Sequence, residues 1–177
     1  GKTPPCTSQI IKKKISEVLY SIDDIDKKVC GKSFNILKSK NILVKKNLLK
    51  NEVYNFYKSY FFNRKNKMPY VTGKIAISKN NLIYNQNKTR ITDVHSDRLS
   101  HFLRYKNDSL MISSKTLNID DPKLSCRIKN LSRFSPKRVI LDRNLEMKIT
   151  SYIFKTANKK NTIVFYNYAD KSKILTF

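Results

Sequence analysis

The reading of this chain turns on residues 108–127, DSLMISSKTLNIDDPKLSCR. Leu110-Met111-Ile112 is a short apolar run of strand length. Asp120-Asp121-Pro122 then forms a turn, because Asp side chains bond nearby backbone and Pro fixes its own φ. Working outward, Thr92 or Asp93 caps a helix expected to bury Val94, Leu99, Phe102 and Leu103. Further upstream, Tyr70–Ser78 alternates as a strand and Asn80-Asn81 is a turn signal. Downstream, Val139-Ile140-Leu141 and Ile163-Val164-Phe165 are two more strands.

The first third shows a similar alternation. Ser8 is expected to cap a short helix over Gln9–Lys14, with Ile10 and Ile11 facing inward. Val18-Leu19-Tyr20-Ser21-Ile22 reads as a strand closed by Asp23-Asp24. Gly31 opens a second helix containing Phe34 and Leu37, and Ile42-Leu43-Val44 is the next strand. Helices alternating with strands on short links imply an α/β fold with parallel strands. Val53, Phe56, Tyr57, Tyr60 and Phe61 recur every three or four residues, which predicts one helix over 51–63 with a core-facing aromatic stripe. The charged run Asn63-Arg64-Lys65-Asn66-Lys67, followed by Pro69, divides the chain into 1–67 and 68–177.

The 177 residues carry a net charge of +24. A basic nucleic-acid-binding module is one reading of that charge. Composition gives another: 29 Lys but only 8 Arg, 18 Asn and 19 Ile, against three Ala and three Gly, is the mix AT-rich codons impose. The charge is also spread along the chain, whereas a nucleic-acid arm concentrates it. The expectation is therefore no nucleic-acid partner, and with no long apolar run, no membrane. Cys6, Cys30 and Cys126 are too far apart for a disulfide framework, which fits a reducing, cytoplasmic setting.

Thr3-Pro4-Pro5-Cys6 stiffens the backbone just ahead of a thiol. Nucleobase deaminases hold zinc through His and Cys ligands, and a helix start favours the thiolate. Cys6 is the candidate metal ligand. The competing reading is an ordinary cysteine after a proline turn.

The order of segments resembles the bifunctional riboflavin-biosynthesis deaminase–reductase family. Gly1-Lys2-Thr3-Pro4-Pro5-Cys6 is similar to its G-x-T-P-P-C zinc motif. Val29-Cys30-Gly31 resembles a V-x-G segment, and Pro69-Tyr70-Val71 the entry into the reductase domain. Residues 108–127 resemble D-A-I-L-V-G-x-G-T-V-L-x-D-D-P-x-L-x-x-R. The resemblance implies the end of a cytidine-deaminase-like domain (1–67) followed by the first part of a dihydrofolate-reductase-like domain (68–177). It implies an enzyme that deaminates a phosphoribosylaminopyrimidine with Zn2+, then reduces its ribosyl group to ribityl with NADPH. The partner would be a phosphorylated pyrimidine, and the full-length protein would oligomerise through the reductase domain.

Carried over by motif, the resemblance places Ala76, Arg90, Thr116, Asp120 and Arg143 on the cofactor. It places Lys74, Lys88, Arg104, Leu124 and Arg127 on the substrate, with Cys6 as the zinc ligand and no catalytic residue in this stretch. Arginine's planar, permanently charged fork suits a phosphate, and Leu124 would pack on the ring. Asp121 serves the turn. His95 and His101, on the helix after Thr92, read as surface or groove residues. This chain departs from the family pattern: Arg90 replaces a Trp, Lys88 a Ser, and Ser113 and Lys115 two glycines. Those changes raise the alternative of a decayed, non-catalytic relative. The chain reads as the middle of a two-domain enzyme cut on both sides, with apolar sheet surface exposed and no deaminase activity of its own.

Overall fold

A computed structural model describes residues 4–26, 28–83 and 91–176. The chain forms two compact units, Gly1–Lys74 and Ile75–Phe177. The division falls after Lys74 because Tyr70 stays with the first unit, its ring edge-on to Phe62 at 5.6 Å and 5.9 Å from the Lys58 ammonium.

In the first unit, α1 (Cys6–Lys12) is capped by Pro5. Ser8 is not the cap: its N–H donates to the Pro5 carbonyl at 3.1 Å, inside the first turn. Strand β1 (Glu17–Leu19) is shorter than its apolar run, and β2 (Leu43–Lys45) lies parallel to it with Val18 opposite Val44. Between them runs α2 (Lys32–Lys38), entered through Gly31 at φ +69, where a side chain would be disfavoured. The expected aromatic helix is two, α3 (Lys50–Phe56) and α4 (Lys58–Asn66), because Tyr57 leaves helical geometry at φ −92, ψ 11. Of its stripe only Phe61 is buried, while Phe56 and Tyr57 face solvent.

Tyr70–Ser78 pairs with no strand among the described residues, and Val71, Ile75 and Ile77 are exposed. Alternation suits a half-buried strand, but a strand also needs a neighbour's hydrogen bonds. The Asn80-Asn81 turn is present: Asn81 takes φ +60 and donates to the Ser78 carbonyl at 2.9 Å.

The second unit runs α5 (Val94–Lys106), β3 (Ser109–Ser113), α6 (Ser114–Asp120), β4 (Lys137–Leu141), α7 (Tyr152–Lys155), β5 (Thr162–Phe165) and α8 (Lys171–Thr176). A 3-10 turn at Ser132–Phe134 precedes β4. The strands form one parallel sheet in the order β3-β4-β5. Register puts Ile112, Ile140 and Val164 side by side. That face carries the core of Leu117, Leu124, Ile140, Met147 and Ile153. Successive side chains of a strand point to opposite faces. The reverse face therefore shows Met111, Leu141, Ile163 and Phe165, all exposed. Purely parallel sheets normally bury both faces; here Val139 of the middle strand is buried on the reverse face, while its neighbours on that face are left open by the described residues.

Asp93 caps α5, its carboxylate accepting the Ser96 N–H at 2.7 Å. The buried side of α5 differs from expectation. Val94, Leu99 and Phe102 are exposed, while Asp97, Ser100, His101, Leu103 and Arg104 are half-buried. His101 and Arg104 occupy this face because they bond the loop after α6.

Candidate functional site

Two groups of candidate residues lie in the second unit. The first gathers where β3 and β4 end. Ser113 caps α6 by accepting the Thr116 N–H at 3.2 Å, and the two hydroxyls lie 3.2 Å apart. Thr116 and Asp120 are four residues apart on α6 and share its face. Arg143 follows β4, and its carbonyl accepts the N–H groups of Asn167 and Tyr168 at 3.0 and 3.2 Å, tying the ends of β4 and β5 together. Ahead of it stands Asp142, 1% exposed, whose carboxylate accepts the N–H groups of Glu146 at 2.9 Å and Met147 at 2.7 Å. Ligands of open α/β sheets bind in the crevice outside the carboxyl ends of the strands. Exposed hydroxyl and guanidinium groups at that edge fit the phosphates of a dinucleotide.

The second group joins α5 to the loop after α6. Arg104 donates from Nη1 to the Ser125 carbonyl at 3.0 Å. His101, one turn earlier on α5, meets Arg127 twice: backbone N–H to Nδ1 and side-chain Nε to Nε2, each 3.1 Å. A neutral imidazole accepts at one nitrogen only, so one of these contacts is the hydrogen bond. Burial, then the charges of Arg104 and Arg127, push the His101 pKa below its usual 6.5. Burial, with the Arg127 charge beside it, likewise lowers the Arg104 pKa. Two guanidinium groups thus stand about a neutral imidazole, a setting that an anion would relieve.

The remaining predicted residues are placed as follows. Leu124 takes φ +57 and turns its side chain into the core at 4% exposure. Ala76 is half-buried in the unpaired segment, and Lys74 is exposed in the first unit. Lys88 and Arg90 lie outside the described residues. Cys6 is exposed as the first residue of α1. Among the described residues no group of three His, Cys, Asp or Glu could hold a metal. No helix among them is long and apolar enough to cross a membrane.

Sequence reasoning missed three contributors. His101 lies three residues before Arg104 on one helix face, a spacing that carries the signal. Asn118 ties α6 to the loop after β4, donating to the Glu146 carbonyl and accepting the Lys148 N–H, each at 2.9 Å. Asp121 does more than make its turn: its carboxylate accepts the Tyr152 N–H at 2.7 Å and so positions α7.

Fold and side chains together define a class: a parallel α/β domain with an arginine pair gathered about a histidine beside its core. Residues 69–177 match the sequence model of the RibD C-terminal domain, and the chain belongs to that family. The riboflavin biosynthesis protein RibD of Bacillus amyloliquefaciens is 29% identical over 161 residues, covering 86% of this chain and 42% of the relative. That of Aquifex aeolicus is 25% identical over 177 residues, 99% of this chain and 49% of the relative. Among solved structures, Acinetobacter baumannii RibD superposes with a TM-score of 0.79 at 25% identity, covering 99% of this chain and 50% of that one. A Thermotoga maritima protein described as a diaminohydroxyphosphoribosylaminopyrimidine deaminase/5-amino-6-(5-phosphoribosylamino)uracil reductase gives a TM-score of 0.80 at 29% identity, covering 95% and 47%. The chain spans about half the length of the curated relatives it matches. The second unit is thus a relative of the reductase domain of riboflavin biosynthesis, with the α/β fold of that domain.

Proposed function

We propose that this chain is part of an enzyme whose second unit reduces the ribosyl group of a phosphorylated aminopyrimidine to ribityl, using NADPH. The observation that carries this reading is that Arg104 and Arg127 lie near His101, Arg127 bonding its ring and Arg104 bonding the Ser125 carbonyl of the same loop, within the unit that matches the reductase family. When bound, NADPH would supply the hydride that this reduction needs.

The chain's own residues bind and orient. Thr116, Asp120 and Arg143, with Ala76, hold the cofactor. Arg104, steadied by the Ser125 carbonyl, keeps N–H groups for the substrate phosphate, and Arg127 offers a second fork. Fixing a phosphate at one end of a flexible sugar turns a loose encounter into an oriented one, which is much of what such a site contributes. Leu124 supports the loop from beneath. Lys74 and Lys88 belong to the same proposal on the strength of their motif positions alone.

The first unit is read as the end of a pyrimidine deaminase domain, with Cys6 at a zinc-ligand position. Its support is the length of the structural match, and no deamination step is derived from it. A cytoplasmic setting and self-association through the second unit complete the proposal. The exposed apolar face of Met111, Leu141, Ile163 and Phe165 favours the latter.

The test is steady-state kinetics of the intact protein with Arg104→Ala, Arg127→Ala and Arg127→Lys. Losing one charge-assisted fork should raise substrate KM by about tenfold or more, with NADPH affinity unchanged. Lys should rescue only part, since it lacks the planar fork. A substrate KM that stays put in both alanine variants would overturn the assignment.

A further inference from the structure

The core face of the second unit holds a cavity of about 210 Å³ at the amino end of β4 and β5, the opposite edge of the sheet from Thr116 and Arg143. Lys123, Ser125, Arg138, Tyr152 and Asn161 are among its lining residues, and the side chains of Arg104 and Arg127 are not. Arg138 is only 7% exposed. Its guanidinium bonds neutral acceptors alone: Thr162 Oγ1 at 3.0 Å, Thr156 Oγ1 at 2.8 Å, and the Thr156 carbonyl and Asn161 Oδ1 at 2.9 Å each. It pairs with no carboxylate among the described residues. Cations so withdrawn from water are normally paired, because desolvation removes the solvent that stabilised the charge.

A second cation lines the same cavity. The Lys123 ammonium sits 5.4 Å from the centre of the Tyr152 ring, and it pairs with no carboxylate among the described residues. Four of the five guanidinium N–H groups of Arg138 are engaged, which fixes the charge in place and leaves one Nη1–H. The Ser125 and Tyr152 hydroxyls add neutral donors that no other described side chain engages. The volume falls below the roughly 300 Å³ at which pockets for drug-sized ligands begin, so the occupant is small.

We propose that this cavity is an anion site for a phosphate group, with the fixed charge of Arg138 and the ammonium of Lys123 supplying the attraction and the neighbouring hydroxyls the orientation. The chemistry is that of a tetrahedral oxyanion, whether free phosphate or a small phosphate monoester. This inference is independent of the reductase reading, since it uses none of the side chains assigned to substrate or cofactor except the buried Leu124 in its wall.

The experiment is a titration of the whole chain with inorganic phosphate, followed by amide chemical shifts. It is run in an Arg104→Ala/Arg127→Ala background so that the other arginine pair is silent, and at constant ionic strength set with chloride. The expected result is saturable movement of the Ser125, Arg138, Tyr152 and Asn161 amides. Lys123→Ala should weaken it by about tenfold, the scale of one charge-assisted hydrogen bond. Arg138→Gln should abolish it where that variant folds, and Lys123→Ala keeps the test open where it does not. Methyl phosphate as a second titrant separates the sources: equal affinity assigns the free anion, tighter binding the ester. Amides that do not move, or that move identically in Lys123→Ala, would overturn the proposal.

Discussion

Asp142→Ala removes the device that holds the end of β4 in place. The carboxylate is 1% exposed and accepts two backbone N–H groups, from Glu146 at 2.9 Å and Met147 at 2.7 Å. Leu145, just ahead of both, sits at φ +51, a left-handed turn that those two bonds support. A hydrogen bond to a charged group contributes about 1.5–3 kcal/mol net. Met147 is buried, so its N–H finds no water once the carboxylate is gone. Glu146 is exposed, and its N–H can turn to solvent. The sum is therefore one full loss and one partial loss, about 2–4 kcal/mol. Asp142→Asn keeps one acceptor oxygen and should lose about half of that. With a urea dependence of about 2 kcal/mol per molar, the midpoint of Asp142→Ala should fall by about 1–2 M. The assay is equilibrium unfolding read from the Ile140 and Ile153 methyl resonances, which report the second unit alone. Because Arg143 follows directly, NADPH affinity should fall in parallel. The reasoning fails if Asp142→Ala unfolds within about 0.5 kcal/mol of the parent, or if Asn proves as damaging as Ala.

Two further predictions concern the core and the arginine pair. Ile153 is fully buried against Leu117 and Ile140, so Ile153→Ala should cost about 2–5 kcal/mol and Ile153→Val about 0.5–1.5 kcal/mol, measured by the same unfolding. His101 should titrate below 6.5 by proton-detected NMR, and its midpoint should rise in Arg127→Ala or on adding phosphate, since each relieves the positive surroundings. Its folded-state pKa being lowered, the stability linked to neutral His101 is fully present above 6.5 and is lost as pH falls through the lower folded value.

Much of this was legible in the sequence where one local property sufficed. The three strands of the second unit lie where short apolar runs place them, because strands of a parallel sheet read as near-continuous apolar runs. The resemblance carried by residues 108–127 led to the family because motif residues keep their order even when identity is low. The Asp93 cap needs only its own side chain and the N–H three residues on. Local signals also misled. Tyr70–Ser78 alternates correctly yet pairs with no strand among the described residues, since alternation says which face would be buried and not whether a neighbour exists. The aromatic stripe over 51–63 has helical spacing, but Tyr57 breaks the helix at a point no periodicity marks.

By itself, then, the sequence determined the alternation of helices and strands, the parallel sheet it implies and the two arginines that make an anion site thinkable. Only the tertiary structure decided that Arg104 and Arg127 gather near His101, that Leu124 turns its side chain into the core, and that Arg138 is buried with no acidic partner among the described residues. Element identity depends on neighbours within a few residues along the chain. Convergence and burial depend on contacts between residues some twenty apart, which chain order alone leaves open.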